Sequence, residues 1–179
     1  KAWTASSIVK KGNYSTNVLK VIKKGNKLTY YINDTNVYEM TYVPFMGNKI
    51  GLRVYKNQKI SVDYIRVKYN SAGKTNNNNS TESSILYETF DNNNNSWSTS
   101  NTSDYDLEIK DGKYNFNHKV AESGFTSTSD VPFDDSRDFK IETKILKVSG
   151  VDDYGYGLLW GRKDTENQNR FFIASNGLF

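Results

Sequence analysis

Three acidic residues stand at alternate positions of one short segment: Asp104, Asp106 and Glu108. Alternate residues of a β-strand point to the same face, so a strand here would present these carboxylates together. Glycoside hydrolysis uses a pair of carboxyl groups, one of them as the general acid. The intervening Leu107 and Ile109 favour a simpler interpretation, in which the acids form the solvated face of a strand whose other face is buried. The pattern therefore does not support catalysis.

Residues suited to nucleophilic catalysis are scarce. A Ser-His-Asp relay needs a carboxylate that holds the imidazole in place, and the sequence around the single histidine, His118, supplies none. We therefore predict a histidine at the surface or at a strand edge. Cysteine is absent, which excludes disulfides, thiolate catalysis and cysteine metal sites.

Aspartates in two loops are the candidates for a metal site. Asp134, Asp135 and Asp138 lie close together, and Asp152 and Asp153 form a second group. Calcium needs several oxygen ligands that converge from one loop. The spacing lacks the Asp-x-Asp-x-Asp-Gly pattern, so turn-forming acids are the favoured interpretation. No cofactor is expected, and Ca²⁺ is kept as the alternative.

The elements that must position any site are β-strands. Apolar and aromatic residues alternate with polar ones in residues 28–33, 50–55 and 139–145, which is the period of a half-buried strand. Turn residues separate such runs, most clearly at Gly25-Asn26 and Asp111-Gly112, which are typical of tight hairpins. The sequence therefore predicts an all-β fold in which two antiparallel sheets cover each other.

Composition limits the classes of partner. The net charge is +4, but the lysines are scattered, and the pairs Lys10-Lys11 and Lys23-Lys24 adjoin glycine turns. A nucleic-acid surface needs a continuous basic stripe, so we expect no nucleic-acid partner. No apolar run reaches the ~18 residues of a membrane span, so no membrane insertion is expected. The 14% aromatic content can supply the core of one sandwich-sized domain.

Residues 71–84 differ in composition from the rest of the chain. The stretch is rich in Asn, Ser and Thr, and its only apolar residue is an alanine. It cannot bury enough surface to offset the entropy of ordering it. We predict a flexible linker that separates residues 1–70 from residues 85–179.

The two segments resemble complementary halves of one known domain type. The motifs of residues 85–179 follow the order of the front half of concanavalin A-like jelly-roll domains: Ile85–Asp91, Trp97, Gly112–Tyr114, Phe139–Ile145, Gly157–Gly161 and Arg170–Ile173. The motifs of residues 1–70 follow the order of the back half: Trp3-Thr4, Asn17–Val21, Tyr31–Asn33, Gly47, Ile50–Leu52 and Val62–Val67. The likeness is to the laminin-G-like and glucanase-like members of that family.

The resemblance implies one two-sheet antiparallel jelly-roll sandwich whose halves stand in permuted order. In this family the first and last strands lie beside each other. A linker of about fifteen residues easily spans the gap between the end of the last strand and the start of the first. We expect residues 1–70, a C-terminal half, and residues 85–179, an N-terminal half, to close within one chain as a single domain. The alternative is strand exchange, in which each half is completed by a neighbouring molecule of a tandem array.

The resemblance also implies a ligand on the concave sheet face. Trp160 shares strand parity with Tyr156 and Arg162, and Glu142 and Asn169 are its expected polar neighbours. Flat aromatic rings with a polar rim suit the faces of sugars, so these are the predicted ligand-binding residues.

The other two tryptophans, Trp3 and Trp97, are interpreted as core residues. For catalysis the resemblance offers little, because the family's Glu-x-Asp-x-Glu pattern is replaced by Asp-Tyr-Asp-Leu-Glu at residues 104–108.

We therefore expect a non-catalytic recognition module that binds carbohydrate, such as a cell-surface glycan, within a larger extracellular or cell-surface bacterial protein. Two alternatives stay open. One is a structural repeat that self-associates through exchanged half-domains, and the other is a glycoside-processing enzyme of the same fold.

Overall fold

The computed structural model describes residues 3–69 and 83–179, which form β-strands and no helix. The predicted linker lies outside these residues except for Ser83 and Ser84, which belong to a strand. The strands, in chain order, are β1 (Thr16–Lys24), β2 (Lys27–Ile32), β3 (Thr35–Thr41), β4 (Lys49–Tyr55), β5 (Gln58–Tyr69), β6 (Ser83–Glu88), β7 (Ser100–Asn101), β8 (Tyr105–Lys110), β9 (Lys113–His118), β10 (Gly124–Asp130), β11 (Phe139–Gly150), β12 (Tyr156–Arg162) and β13 (Asn169–Ile173). Within the described ranges, no helix has the length and apolar character to cross a membrane.

The strands form two antiparallel sheets that do not close into a barrel. The larger sheet has nine strands in the order β3-β2-β1-β11-β5-β9-β8-β7, and β6 pairs with the end of β5 that β9 leaves free. The smaller sheet has the order β10-β4-β12-β13. This arrangement confirms the prediction of an all-β sandwich with two antiparallel sheets.

Each sheet contains strands from both segments of the chain. In the larger sheet, β11 lies between β1 and β5 and pairs with both over most of its length. In the smaller sheet, β4 lies between β10 and β12. Residues 3–69 and 83–179 therefore share their sheets.

The core lies between the sheets and follows the two-residue period of the strands. On β11, Phe139, Ile141 and Ile145 are buried, while the alternate residues are only partly buried. From the smaller sheet, Leu158 and Ile173 are buried in the same cluster. Each such aliphatic side chain stabilises the fold by roughly 1.5–3 kcal/mol relative to solvent exposure.

The two predicted hairpins form as expected. Gly25 lies in the turn between β1 and β2, and Asp111 and Gly112 lie in the turn between β8 and β9. Asp111 and Gly112 have φ angles of 54° and 65°, the left-handed values that a tight two-residue hairpin turn requires at both positions.

Candidate ligand-binding groove beside strand β13

The five residues predicted to bind a ligand do not meet at one accessible surface. Trp160 and Tyr156 are 1% and 0% exposed, and both belong to the core between the sheets. Arg162 lies at the end of β12, where its Nε donates to Gln168 at 3.1 Å. Glu142 is on the larger sheet and points outward, away from the core.

The same residues pack against others inside the protein, although Nε1 of Trp160 and Nδ2 of Asn169 have no hydrogen-bond partner among the described residues. The ring of Trp160 lies 6.1 Å from that of Tyr30, across the space between the sheets. Asn169 is the cross-strand neighbour of Trp160 on β13. Glu142 accepts a hydrogen bond from the hydroxyl of Tyr64 at 2.8 Å. Trp160 therefore has a structural role in the core between the sheets, and Glu142 has one on the outer face of the larger sheet.

Other candidate residues are also held by the fold. His118 is 3% exposed and one ring nitrogen lies 2.8 Å from the carbonyl oxygen of Lys56, so the prediction of a surface histidine is wrong. Trp97 is buried as predicted, and its Nε1 donates to Glu88 at 2.9 Å. Trp3, in contrast, is 48% exposed, so its assignment to the core is wrong.

The loop aspartates are engaged in bonds that fix loops. Asp135 accepts hydrogen bonds from the Tyr42 hydroxyl and from the backbone N–H of Phe45. Asp138 accepts from the backbone N–H of Gly25 at 2.7 Å. In the part of the chain that the structure describes, no three His, Cys, Asp or Glu side chains are grouped to hold a metal ion.

The structure reveals a different candidate, a groove of about 650 Å³ that runs beside β13. It opens where the two sheets end, since β3 is the edge strand of the larger sheet and β13 is the edge strand of the smaller one. Tyr38 and Met40 line the groove from β3, and Arg170, Phe171 and Phe172 line it from β13.

Tyr30 forms the floor of the groove and fixes its walls. Its ring lies 5.2 Å from that of Phe171 in an edge-on arrangement and 5.7 Å from that of Tyr38. Its hydroxyl lies 3.4 Å from the sulfur of Met40. Burial, aided by the neighbouring Tyr38, raises the pKa of Tyr30 to about 12, so the phenol is protonated at neutral pH.

The rim is built by residues from the two ends of the described chain. The backbone groups of Thr4 and Phe179 exchange two hydrogen bonds, at 2.9 and 3.0 Å, and this pair places Trp3 beside β13. The indole ring of Trp3 lies directly over Gly155, where an added Cβ would approach Cη2 to 2.7 Å. Glycine at this position therefore lets the ring rest on the backbone. Tyr154 adds a further exposed ring to the rim.

The groove continues onto the outer face of the smaller sheet, which we call the arginine–aromatic face. It carries Arg53 and Tyr55 from β4 and Arg170 and Phe172 from β13. These residues alternate with core residues on their strands, so they point outward. The rings of Tyr55 and Phe172 lie 5.8 Å apart with an interplanar angle of 77°. On β12, Gly157 lies between Arg53 and Phe172 in the strand register.

Chemically, the groove is apolar with few polar groups. Among the residues that line it, Arg170 is the only one with an ionised side chain, and its guanidinium donates to the carbonyl oxygen of Thr165 at 2.9 Å. A concave, largely aromatic surface with a small number of placed polar groups is the usual form of a small-molecule site.

The comparisons with known proteins give no family assignment. No protein-family model matches the chain, and a search of curated proteins produced no match. The case for function consequently depends on the geometry of the groove.

Sequence reasoning missed the groove because its residues are far apart in the chain. Trp3, Tyr55 and Phe172 come from separate segments and meet only after β4, β12 and β13 have paired. Within β13, the alternation of Arg170 and Phe172 with buried neighbours was the one local signal that could have indicated an outward aromatic and basic pair.

Proposed function

We propose that this chain is a non-catalytic recognition module that binds carbohydrate in the groove beside β13. The observation that carries the proposal is the exposure of aromatic rings around a concave surface. Trp3, Tyr38 and Tyr154 are 48%, 37% and 36% exposed. Large rings that combine an apolar face with a polar edge favour ligands of the same mixed character, as sugars are.

The chemistry of the lining supports binding without catalysis. Glycoside hydrolysis uses two carboxyl groups, ~5–9.5 Å apart, on either side of the bond to be broken. The residues that line the groove include neither aspartate nor glutamate. An enzyme of this fold would need such a pair within reach of the bound sugar.

Closure within one chain supports a self-contained module. β11 pairs with β1 on one side and with β5 on the other, so both segments contribute to the same body. We further propose that the sandwich is a permuted relative of concanavalin A-like jelly rolls, carried by a larger extracellular or cell-surface protein. The order of the sequence motifs in the two segments supports this assignment.

One observation favours the alternative of an assembly repeat. β3 and β13 are both edge strands, and they flank the groove on the same side of the sandwich. Unpaired strand edges can pair with a neighbouring copy. Light scattering over a wide range of concentrations separates the two functions, because a module stays monomeric and an interlocking repeat grows with concentration.

A glycan array followed by calorimetry tests the carbohydrate proposal. We expect Trp3→Ala to weaken binding of any glycan found by about tenfold or more, because a rim ring that covers the ligand is lost. Tyr87→Ala is the matched control, since Tyr87 is 57% exposed but lies on the larger sheet, and it should bind as the wild type does.

Trp160→Ala would be a poor reporter of binding. Trp160 is a core residue, and removal of a buried tryptophan costs about 3–5 kcal/mol of stability. If no glycan binds, or if Trp3→Ala binds as tightly as the wild type, the proposal is wrong.

A further inference from the structure

Arg170 stands at the groove without an acidic partner. Its guanidinium is exposed and is oriented by one hydrogen bond, to the carbonyl oxygen of Thr165 at 2.9 Å. No carboxylate of the described residues forms a salt bridge with it. The nearby Asp164 already accepts hydrogen bonds from the backbone N–H groups of Glu166 and Asn167 and from the Asn167 side chain. Arg170 therefore offers most of its donors to the groove.

Arg53 repeats this pattern on the same sheet face. Its guanidinium lies 4.6 Å from the ring centre of Tyr55 and donates to the hydroxyl of Thr126 at 2.8 Å. Its Nε is buried, so the donors that it can offer to a ligand are on the two terminal nitrogens. It too forms no salt bridge within the described chain. A stacked guanidinium with unused donors is a rigid binding group for a planar anion.

The strand register sets the distance between the two arginines. Arg53 is paired through Gly157 to Phe172, and Arg170 lies two residues from Phe172 on β13. Two strand spacings and two residue rises give a Cα separation of about 12 Å. The register places Phe172 beside both arginines, opposite Arg53 across Gly157 and two residues from Arg170, whereas Tyr55 lies on the side of Arg53 that is remote from Arg170. A basic, an aromatic and a second basic position thus follow one another across the arginine–aromatic face.

We infer that the ligand is an acidic oligosaccharide, one whose sugar rings carry carboxylate groups. The aromatic rings would contact the sugar faces, and Arg53 and Arg170 would pair with carboxylates on separate rings. The planar carboxylate matches the fork of a guanidinium and accepts two parallel hydrogen bonds. This inference rests on the proposed carbohydrate function and adds the charge of the ligand to it.

The test compares one oligosaccharide in two charge states. Hexagalacturonate and its methyl ester have the same backbone, but the ester has no carboxylate charge. We expect calorimetry to show the acid binding about tenfold or more tightly than the ester, with an advantage that shrinks in high salt. Arg170→Gln and Arg53→Gln should each remove most of that advantage, so that the variant binds the acid and the ester with similar affinities.

Two further arms identify the source of the effect. A heparin hexasaccharide carries sulfate groups. If it binds more tightly than hexagalacturonate, the preferred anion is sulfate, and the inference of a carboxylate ligand is wrong. Arg66→Gln removes an arginine from the outer face of the larger sheet and should leave the acid preference intact. If Arg66→Gln reduces binding as much as Arg170→Gln does, the acid binds by diffuse charge attraction, and the inference is wrong.

The outcomes also separate this inference from the function on which it rests. If the acid and the ester bind equally, or if only neutral glycans bind, the inference of an acidic ligand is wrong and carbohydrate recognition stays in place. Failure of both forms of the oligosaccharide to bind overturns the acidic ligand as well. The carbohydrate function itself is removed by an empty glycan array or by wild-type glycan binding of Trp3→Ala.

Discussion

The arginines on the two outer faces of the sandwich have different partners. On the larger sheet, Lys144 and Lys113 share Asp63, with N–O distances of 2.6 and 3.1 Å, and Arg66 lies 3.8 Å from Glu142. On the smaller sheet, Lys49 lies 3.5 Å from Asp130, but Arg53 and Arg170 form no salt bridge with any described residue. An arginine that is paired within the protein contributes to the fold, whereas an unpaired one is available to an outside anion.

The faces differ in packing as well. The smaller sheet has glycines at Gly51 and Gly157, where an added Cβ would lie 2.1 and 2.4 Å from backbone oxygens of the neighbouring strands. The larger sheet carries long side chains at its outward positions, such as Lys140 and Lys144 on β11. The glycines therefore let neighbouring strands of the smaller sheet approach each other closely.

The largest expected effect comes from filling one of these glycine positions. Gly51→Ala would place a methyl group against the backbone oxygen of Ser127 and force β10 away from β4. We expect it to lower the free energy of unfolding by about 2–3 kcal/mol. Lys144→Ala, on the other face, should cost no more than about 1 kcal/mol. Urea denaturation of both variants measures the difference, and similar losses would show that the packing contrast is unimportant.

A smaller effect should follow removal of the shared carboxylate on the larger sheet. Burial raises the pKa of Asp63, but hydrogen bonds and charge from Lys144 and Lys113 outweigh it, so the net pKa lies below its usual value. A carboxyl whose pKa is lowered by folding stabilises the protein above its unfolded pKa of ~3.9, and this stabilisation is lost as the pH falls through the folded pKa.

We therefore expect Asp63→Asn to cost about 0.5–1 kcal/mol at neutral pH and to approach the wild type in stability in strong acid. Urea midpoints measured at pH 7 and near ~pH 2.5 provide the check. If Asp63→Asn is less stable than the wild type by the same amount in acid as at neutral pH, the ion pairs of Asp63 are not the source of the lost stability.

The smallest effect distinguishes the arginines of the two faces. Arg66 stacks on Tyr64 and lies beside Glu142, so Arg66→Met should destabilise the protein by about 0.5–1 kcal/mol. Arg53→Met should change stability by less than about 0.5 kcal/mol, because Arg53 forms no salt bridge with any described residue. Thermal and urea unfolding of both variants test this order, and a larger loss at Arg53 would assign that residue to the fold instead of the ligand.

Much of the architecture was predictable from local patterns. The two-residue alternation of β2, β4 and β11 and the turns at Gly25 and Asp111-Gly112 gave the correct strands and hairpins. These features depend on side-chain burial and backbone conformation within a few residues, which a single sequence expresses directly.

Other features depend on long-range pairing and were not predictable. β10 reads Gly-Phe-Thr-Ser-Thr-Ser-Asp and was not predicted, because its small polar residues carry no clear apolar alternation. On β12, Leu159 is as buried as Trp160 although it faces the other way, so the residue pattern does not indicate which face of the strand is the core. The register of β12 against β4 decides that question, and it turned Trp160 inward.

The pairing of Thr4 with Phe179 has a mechanical consequence. The two segments run antiparallel, and Ser6 donates to the carbonyl oxygen of Gly177 further along. Tension applied through both ends of the chain would open these bonds one after another, like a zipper, instead of loading them all at once. Trp3 would then leave Gly155 while the sheets remain intact, so stretching would dismantle the rim of the groove before the protein unfolds.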